Sequence, residues 1–254
     1  MSAPDASKVV VLISGGNAGI GFEIVKKLAN DYPTSHQILM GTRSLEKGEA
    51  AWKLLGSPAN VSPVQLDITE DASIERLYHH IETSYGKLDI LINNAATAGR
   101  DLGEIEGQGF RGVGVPVRQV YTHVYNVNVI STAALTDHLL PLLEKAELPK
   151  IIFVSSGIGS IAGLVDGEGP PLECPWYSSS KSAVNYLAVY YAKLYPKLKS
   201  NAVCPGLNAT GLNGIQLTED TNPRKGAIRV TQLVAEGRDG VSGTFSNKDG
   251  SMRW

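Results

Sequence analysis

Short apolar runs alternate with segments of helical periodicity along almost the whole chain of 254 residues. Runs that are apolar on both faces predict buried strands at 8–13, 37–40, 61–66, 88–92, 150–154, 198–203 and 241–245. Apolar residues spaced three and four apart predict helices at 20–29, 45–55, 74–81, 127–143 and 183–194. Fully buried strands separated by helices indicate a parallel sheet that is covered on both faces. Right-handed crossovers then predict an α/β fold with a single doubly wound sheet of about seven strands.

Two stretches interrupt this alternation. Residues 97–119 are rich in glycine and in charges of both signs, and residues 163–175 contain two adjacent prolines. Because no repeat or Ser/Gly linker divides the chain, we expect residues 1–254 to form one domain, with the two stretches as loop insertions near a substrate pocket. Such stretches are either binding loops or tolerated surface insertions, and the sequence leaves both possibilities open.

Composition narrows the function classes. The net charge of −2 and the pI near 6.2 do not suggest a nucleic-acid partner. No run approaches ~18 apolar residues, so no membrane span is expected. The polar residues 1–7 do not have a signal-peptide pattern, which predicts a cytoplasmic protein. The two cysteines, Cys174 and Cys204, form neither a disulfide framework nor a metal-ligand cluster, and we expect packed free thiols.

The first candidate site lies between the first predicted strand and the first predicted helix, in the sequence LISGGNAGIGFEIVKKLA at 12–29. Glycine costs backbone entropy, and a cluster of glycines at such a junction indicates that a ligand closely approaches the backbone. A helix N-terminus offers free N–H groups and the positive end of a dipole, so a phosphate is the expected ligand. The G-x-x-x-G-x-G spacing differs from G-x-G-x-x-G, but the strand–turn–helix context predicts a dinucleotide pyrophosphate site. Its expected residues are Gly15, Asn17, Gly19, Ile20 and Gly21.

The second predicted strand ends with Gly41, Thr42 and Arg43, without an acidic residue for the ribose hydroxyls of NAD. The planar guanidinium of Arg43 suits a 2′-phosphate, and we therefore predict NADP(H) as the cofactor. A solvated surface arginine is the alternative interpretation of this residue.

The third and fourth predicted strands end near the same cofactor. We expect Asp67 to accept a hydrogen bond from the adenine amino group, with Ile68 against the ring. A small, partly polar floor beside the cofactor would be formed by Asn93, Asn94, Ala95 and Ala96. Alternatively, either asparagine would tie neighbouring strand ends together.

The candidate chemistry lies further along the chain. Tyr177 and Lys181 share one face of a helix, and an ammonium beside a phenol favours the phenolate and lowers its pKa, although burial opposes this. Ser155 and Ser156 end a buried strand, where a hydroxyl is suited to hold a carbonyl while a tyrosine protonates it. After the sixth strand, a turn at Pro205 and Gly206 redirects the chain, and we expect Thr210 to reach the carboxamide of the cofactor.

Together these ordered motifs resemble the short-chain dehydrogenase/reductase family over residues 8 to 246, and the C-terminal residues are similar to those of its carbonyl-reductase-like members. The family's T-G-x-x-x-G-I-G corresponds to SGGNAGIG at 14–21, and its N-N-A-G corresponds to NNAA at 93–96. Its catalytic asparagine, serine, tyrosine and lysine match Asn128, Ser156, Tyr177 and Lys181, and its P-G turn matches 205–206. Asn126 and Ser155 are the alternatives for the asparagine and the serine.

The resemblance implies a Rossmann fold and specific roles. A reduced cofactor would deliver hydride to a carbonyl carbon, Tyr177 would protonate the oxygen, and Ser156 would hydrogen-bond it. Lys181 would lower the tyrosine pKa and bind the nicotinamide ribose, and Asn128 would position a water beside Lys181. Three positions depart from the family pattern: Ser14 replaces threonine, Ala96 replaces glycine, and position 18 lacks a basic residue.

The sequence thus predicts an NADPH-dependent reductase of a ketone or aldehyde, acting on a small-molecule carbonyl substrate. An NAD-dependent alcohol dehydrogenase of the same family and a non-catalytic dinucleotide-sensing protein are the alternatives. Apolar residues near the expected pocket favour an apolar or aromatic substrate; they are Leu164, Trp176, Leu207, Leu212 and Ile215. Trp176 is equally explained by core packing. Family members are commonly dimers or tetramers, whereas carbonyl-reductase-like members can be monomers, so a homo-dimer or tetramer is an expectation with a monomer as the alternative.

Overall fold

The structure is a computed structural model that describes residues 8–104, 111–167 and 173–254. Its strands form one sheet in the order β3-β2-β1-β4-β5-β6-β7-β8. They are β1 (Val9–Ile13), β2 (His36–Thr42), β3 (Val61–Gln65), β4 (Ile90–Asn93), β5 (Lys150–Val154), β6 (Lys199–Val203), β7 (Thr244–Asn247) and β8 (Gly250–Ser251). The first seven pair in parallel, which confirms the predicted doubly wound α/β fold, and β8 adds a short antiparallel edge to β7.

Helices cover both faces of the sheet. They are α1 (Gly19–Asp31), α2 (Leu45–Leu54), α3 (Asp71–Tyr85), α4 (Val117–Tyr125), α5 (Thr132–Leu143), α6 (Ile161–Val165), α7 (Pro175–Leu194) and α8 (Pro223–Ala235). No helix within the described ranges combines the length and apolarity that crossing a membrane requires.

The apolar strands divide their side chains between two cores, because successive residues of a strand point to opposite faces. In β1, Val10 and Leu12 belong to the core beneath α3, α5 and α7, whereas Val11 and Ile13 belong to the core beneath α1 and α8. All four side chains are buried. This two-sided burial explains why the strand sequences are continuously apolar.

The sheet order reverses between β1 and β4, since β1 leads outward to β2 and β3 and the later strands build in the other direction. Ligands of doubly wound sheets bind at such a switch point, outside the carboxyl ends of the strands. A continuous cleft of about 1440 Å³ opens at this position, and it is lined by segments that follow β1 to β6.

Several predicted boundaries were wrong. The helix predicted at 127–143 begins at Val117 and passes through a π-helical turn at Asn126–Ser131, so the end of the 97–119 stretch is helical. In the 163–175 stretch, residues 163–165 belong to α6 and Pro175 begins α7. Within these stretches, residues 105–110 and 168–172 lie outside the described residues, as do residues 1–7.

The last parallel strand also lies later than the predicted 241–245. Gly243 has a left-handed backbone with φ of 70°, which breaks the extended chain before β7 begins at Thr244. The helix predicted at 183–194 starts eight residues earlier, at Pro175, because proline suits the first turn of a helix. Its first two turns, PWYSSSKS, lack the apolar periodicity that the prediction used.

Candidate active site

The glycine-rich turn after β1 has the backbone conformations that its sequence suggested. Gly15 and Gly19 have left-handed φ values of 65° and 54°, which residues with a side chain rarely adopt. A Cβ on Gly21 would overlap the carbonyl oxygen of Gly15, so α1 begins directly against the turn. Gly15, Asn17, Gly19 and Ile20 line the cleft, whereas Gly21 supports them from within the helix.

Asn94 and Ser14 tie the ends of β4 and β1 together. The Ser14 hydroxyl accepts hydrogen bonds from the N–H groups of Asn94 and Ala95, both at 3.0 Å. The Asn94 amide donates to the carbonyls of Ser14 at 2.9 Å and of Gly15 at 3.2 Å. The alternative that an asparagine ties strand ends is therefore observed for Asn94, whereas Asn93 is buried and joins β4 to α5 by donating to Thr136 at 2.9 Å. Asn94 and Ala95 also line the cleft.

At one end of the cleft, the second βα turn presents two exposed cations. Arg43 follows β2, and Lys47 lies in the first turn of α2; both line the cleft. Ser44 caps α2 by accepting a hydrogen bond from the N–H of Lys47 at 3.3 Å. The sequence pattern did not lead us to Lys47. The signal that could have found it is its position, four residues after Arg43 and at the start of the predicted helix 45–55.

The turn after β3 holds the next two predicted residues. The Asp67 carboxylate accepts hydrogen bonds from the N–H of Thr69 at 2.9 Å and from its hydroxyl at 2.7 Å. This local turn orders the loop, and it leaves the second carboxylate oxygen of Asp67 available to a ligand. Ile68 is buried, and both residues line the cleft.

The two serines after β5 have different surroundings. Ser155 is buried, and its hydroxyl hydrogen-bonds the Asn185 side chain at 2.6 Å and the Lys181 carbonyl at 3.2 Å. Ser156 lines the cleft together with Tyr177, and its hydroxyl acts on that phenol in the direction that lowers the tyrosine pKa. Ser155 therefore fastens β5 to α7, whereas Ser156 and Tyr177 form a polar pair that faces the cleft.

Lys181 lies one helical turn after Tyr177 and is buried. Its Nζ donates to the carbonyl of Val154 at 2.8 Å and lies 5.6 Å from the centre of the Tyr177 ring. Burial lowers the pKa of Lys181 to about 8. A lysine with this pKa is still mostly charged at neutral pH and stands beside the phenol that the sequence analysis selected.

Burial raises the pKa of Tyr177 above its ordinary value, helped by the nearby Cys174 and Cys204 thiols and opposed by the Ser156 hydroxyl. The net change in this pKa is upward because desolvation of the phenolate is the largest cause, and the role of Lys181 in lowering the pKa stays a prediction. The phenol consequently keeps its proton at neutral pH, which is the form that a proton donor needs.

Asn128 lies inside the π-helical turn and is buried. Its side chain accepts from the N–H of Thr97 at 2.8 Å and donates to the Thr97 carbonyl at 2.9 Å and to the Ser180 hydroxyl at 3.0 Å. Ser180 in turn donates to the Tyr177 carbonyl at 2.7 Å. Asn128 does not line the cleft but joins the segment after β4 to α7, whereas the alternative, Asn126, is exposed.

The segment after β6 completes the cleft. Its lining residues include Pro205, Gly206 and Thr210. Thr210 lies beside the glycine turn, since a Cβ added to Gly19 would be 3.1 Å from the Thr210 methyl group. Cys204 accepts N–H hydrogen bonds from Gly157 at 3.0 Å and Gly206 at 3.4 Å. Both cysteines are buried free thiols, as predicted.

The apolar residues of the predicted pocket divide into two groups. Leu164, Leu207, Leu212 and Ile215 line the cleft. Trp176 belongs to a separate core with Val120, Val124 and Cys174, and its indole N–H donates to the Ala98 carbonyl at 3.0 Å. Of the two interpretations of Trp176, the structure supports core packing.

The order of the strands, the turn at their switch point and the line of polar residues across the cleft define a dinucleotide-binding oxidoreductase of the Rossmann class. The profile of the short chain dehydrogenase family matches residues 9–220, so the chain belongs to this family. The left-handed glycines and the contact between Gly15 and Gly21 fit a nicotinamide dinucleotide, because they leave the backbone bare where a pyrophosphate would lie.

Known proteins of the family resemble this chain along nearly its full length. A short-chain dehydrogenase/reductase of Stachybotrys chlorohalonatus is 32% identical and covers 96% of this chain, with 90% of its own length aligned. Salutaridine reductase of Papaver somniferum is 29% identical, with 92% of each chain covered. The solved structure of the poppy enzyme has a TM-score of 0.78 at 26% identity and covers 94% of this chain and 99% of its own. An NADPH-bound carbonyl reductase from chicken fatty liver shares the fold, with a TM-score of 0.78 at 24% identity over 97% of this chain and all of its own.

Proposed function

We propose that this protein is an NADPH-dependent reductase that converts a ketone or an aldehyde to an alcohol, with Tyr177 as the proton donor. The observation that carries the proposal is that Ser156, Tyr177 and Lys181 line the same cleft as the bare glycine turn, with the Lys181 Nζ 5.6 Å from the centre of the Tyr177 ring. Two relatives with matching chemistry in their names, salutaridine reductase and menthone neomenthol reductase, support a carbonyl substrate.

The reaction needs two groups from the protein at the carbonyl oxygen. The Ser156 hydroxyl donates a hydrogen bond that polarises the carbonyl, and the Tyr177 phenol transfers its proton to the oxygen as negative charge develops there. The bound NADPH supplies the hydride. A raised tyrosine pKa keeps the donor protonated, and the Lys181 ammonium stabilises the phenolate that remains.

The preference for NADPH rests on the two cations at the second βα turn. Arg43 and Lys47 line the cleft from an exposed position, and Ser44 caps the helix on which Lys47 stands. A guanidinium and an ammonium beside a helix N-terminus favour a phosphate over a bare ribose hydroxyl. The chicken liver carbonyl reductase was solved with NADPH, in line with this preference.

The cofactor assignment is tested by titrating the protein with NADPH and NADH and following nicotinamide fluorescence. We expect NADPH to bind more tightly, and Arg43→Ala and Lys47→Ala each to weaken NADPH binding about tenfold with little effect on NADH. Lys53→Ala is the matched control, since Lys53 lies on the same helix without lining the cleft. Equal or tighter NADH binding would favour an NAD-dependent dehydrogenase, and absence of binding to both would contradict a dinucleotide site.

Catalysis is tested with Tyr177→Phe, which removes one oxygen and leaves the ring. We expect this variant to bind NADPH normally and to lose at least about 100-fold in the rate of NADPH oxidation with carbonyl substrates. Tight NADPH binding without turnover of any substrate, and without an effect of the substitution, would support the dinucleotide-sensing alternative instead.

A further inference from the structure

A second polar cluster lies in the same cleft, outside the residues that the proposed reaction uses. The Asp101 carboxylate accepts a hydrogen bond from the Thr97 hydroxyl at 2.6 Å through one oxygen, and its other oxygen lies 2.9 Å from Nε2 of His123. Thr97, Asp101 and His123 all line the cleft, and about half of the Asp101 side chain is exposed to it. With these two contacts and a hydrogen bond from its own backbone N–H, the Asp101 carboxylate still has acceptor capacity for a ligand.

This cluster is held in a fixed position relative to the catalytic helix. The backbone of Thr97 forms two hydrogen bonds with the side chain of Asn128, which is joined through Ser180 to α7. The neighbouring Ala98 carbonyl accepts the indole N–H of Trp176, also on α7. Because both anchors lead to the helix that carries Tyr177, Asp101 is positioned with respect to the proton donor.

The cleft segments that follow β5 and β6 contribute a group of large aliphatic side chains, between polar residues that also line the cleft. The aliphatic residues are Ile158, Ile161, Leu164, Leu207, Leu212 and Ile215. Arg100, next to Asp101 in the chain, lies close to the segment that follows β6. A Cβ added to Gly214 in that segment would be 3.1 Å from the Arg100 guanidinium. An apolar substrate in this part of the cleft would therefore lie beside the carboxylate of Asp101.

The ionisation state of Asp101 defines what it can bind. Partial burial raises its pKa, but the hydrogen bonds from Thr97 and His123 have the larger combined effect and hold the pKa below its usual value. An ionised carboxylate is an acceptor only, so its ligand must be a hydrogen-bond donor. The guanidinium of Arg100, one residue away in the same cleft, disfavours a cationic donor and leaves a neutral hydroxyl as the matching group.

We propose that Asp101, positioned by Thr97 and His123, recognises a hydroxyl group on the substrate, so that the natural substrate is an apolar hydroxy-ketone or hydroxy-aldehyde. This assignment rests on the proposed reductase function for the carbonyl half of the substrate. The recognition itself is a binding property and can be measured separately from turnover.

The test uses three ketones that differ only at the group remote from the carbonyl: 4′-ethylacetophenone, 4′-(hydroxymethyl)acetophenone and 4′-(aminomethyl)acetophenone. Their dissociation constants are measured by calorimetry on the NADP⁺-saturated protein, in which no reduction occurs. We expect the hydroxymethyl compound to bind about tenfold more tightly than the ethyl compound, as a hydrogen bond to a charged acceptor would give. The aminomethyl compound should show no such advantage.

Asp101→Ala should abolish the preference while leaving the affinity for the ethyl compound within about threefold. Asp101→Asn should keep part of it, since an amide oxygen still accepts. Asp239→Asn is the matched control, because Asp239 is an exposed carboxylate that does not line the cleft. NADP⁺ affinity and melting temperature establish that each variant is folded.

Three results would overturn the proposal: equal binding of the hydroxymethyl and ethyl compounds by the wild type, a preference that persists in Asp101→Ala, or tighter binding of the aminomethyl compound. Reduction of the same ketones by NADPH is followed in parallel. A hydroxyl preference without any turnover would support the Asp101 site and contradict the reductase function, whereas turnover without the preference would do the reverse.

Discussion

Gly159 sets how closely α7 approaches the end of β5, and a single methyl group there should disturb the site. A Cβ on Gly159 would lie 2.8 Å from the carbonyl carbon and the Cβ of Lys181 and 3.0 Å from the nitrogen of Ser182. These neighbours include helix backbone, which cannot turn aside as a flexible side chain would. Reaching an ordinary contact of 3.4 Å from 2.8 Å requires α7 to move by about 0.6 Å relative to Gly159.

The same movement would separate Tyr177 and Lys181 from Ser156. Displacements of about 1 Å at a reacting group cost on the order of 100-fold in rate, so we expect Gly159→Ala to lower kcat by about 10- to 100-fold. Overpacking of this kind also costs about 2 kcal/mol of unfolding free energy, or about 6 °C in Tm for a chain of this size.

Gly157→Ala is the matched control, two residues earlier in the same turn. Its Cβ would meet the Cys204 sulfur at 3.4 Å and the Met252 methyl at 3.5 Å, which are ordinary contacts. The assay measures NADPH oxidation with a carbonyl substrate, together with thermal unfolding, for both variants. If Gly159→Ala matches Gly157→Ala in kcat and Tm, the approach of α7 is not limited by residue 159 and the reasoning is refuted.

Three further predictions follow from groups in and near the site. Burial lowers the pKa of Lys181 to about 8, so its ammonium loses its proton as the pH rises through 8. The value of kcat/KM for NADPH should therefore fall above that pH. A pH profile of kcat/KM that stays flat to pH 10 would contradict this prediction. Ser155→Ala should cost about 1–3 kcal/mol in a urea unfolding experiment, because it removes the hydroxyl that donates to the buried Asn185 Oδ1. Ser156→Ala should lower kcat with little loss of stability, and reversed effects would exchange the roles of the two serines. Lys150→Met should cost about 2 kcal/mol of unfolding free energy, measured by urea unfolding. The lysine Nζ donates to the Val234 carbonyl at 2.6 Å and to the carbonyls of Leu233 and Glu236 at the end of α8, and methionine cannot replace these bonds. An unchanged unfolding curve would contradict this prediction.

The sequence was most informative where a function depends on neighbouring residues. The glycine turn at 15–21 and the tyrosine and lysine of one helical turn follow from local spacing, and the two-sided apolar runs indicate the parallel sheet. Arg43 was expected at the cofactor cleft because it follows the second strand directly, and it does line the cleft. These features were predicted because each is decided within a few residues.

Other features depend on residues that are distant in the sequence. The upward shift in the pKa of Tyr177 comes mainly from burial by the surrounding segments, which the spacing of Tyr177 and Lys181 does not reveal. Ser155 and Ser156 are adjacent and chemically identical, and only the packing of α7 against β5 assigns one to the scaffold and the other to the cleft. The sequence could not decide whether Trp176 lines the pocket or packs in a core, because that also depends on how α7 packs against its neighbours.

The cluster of Thr97, Asp101 and His123 shows the limit most clearly. Asp101 and His123 are 22 residues apart, and part of the chain between them has no apolar periodicity that would predict its path. Desolvation and hydrogen-bond geometry are properties of the assembled fold, whereas periodicity and motif spacing are properties of the chain. The sequence alone therefore determined the family and the sheet and placed Tyr177 and Lys181 on one helical turn. The tertiary structure decided which groups are buried, which face the cleft and which charges meet there.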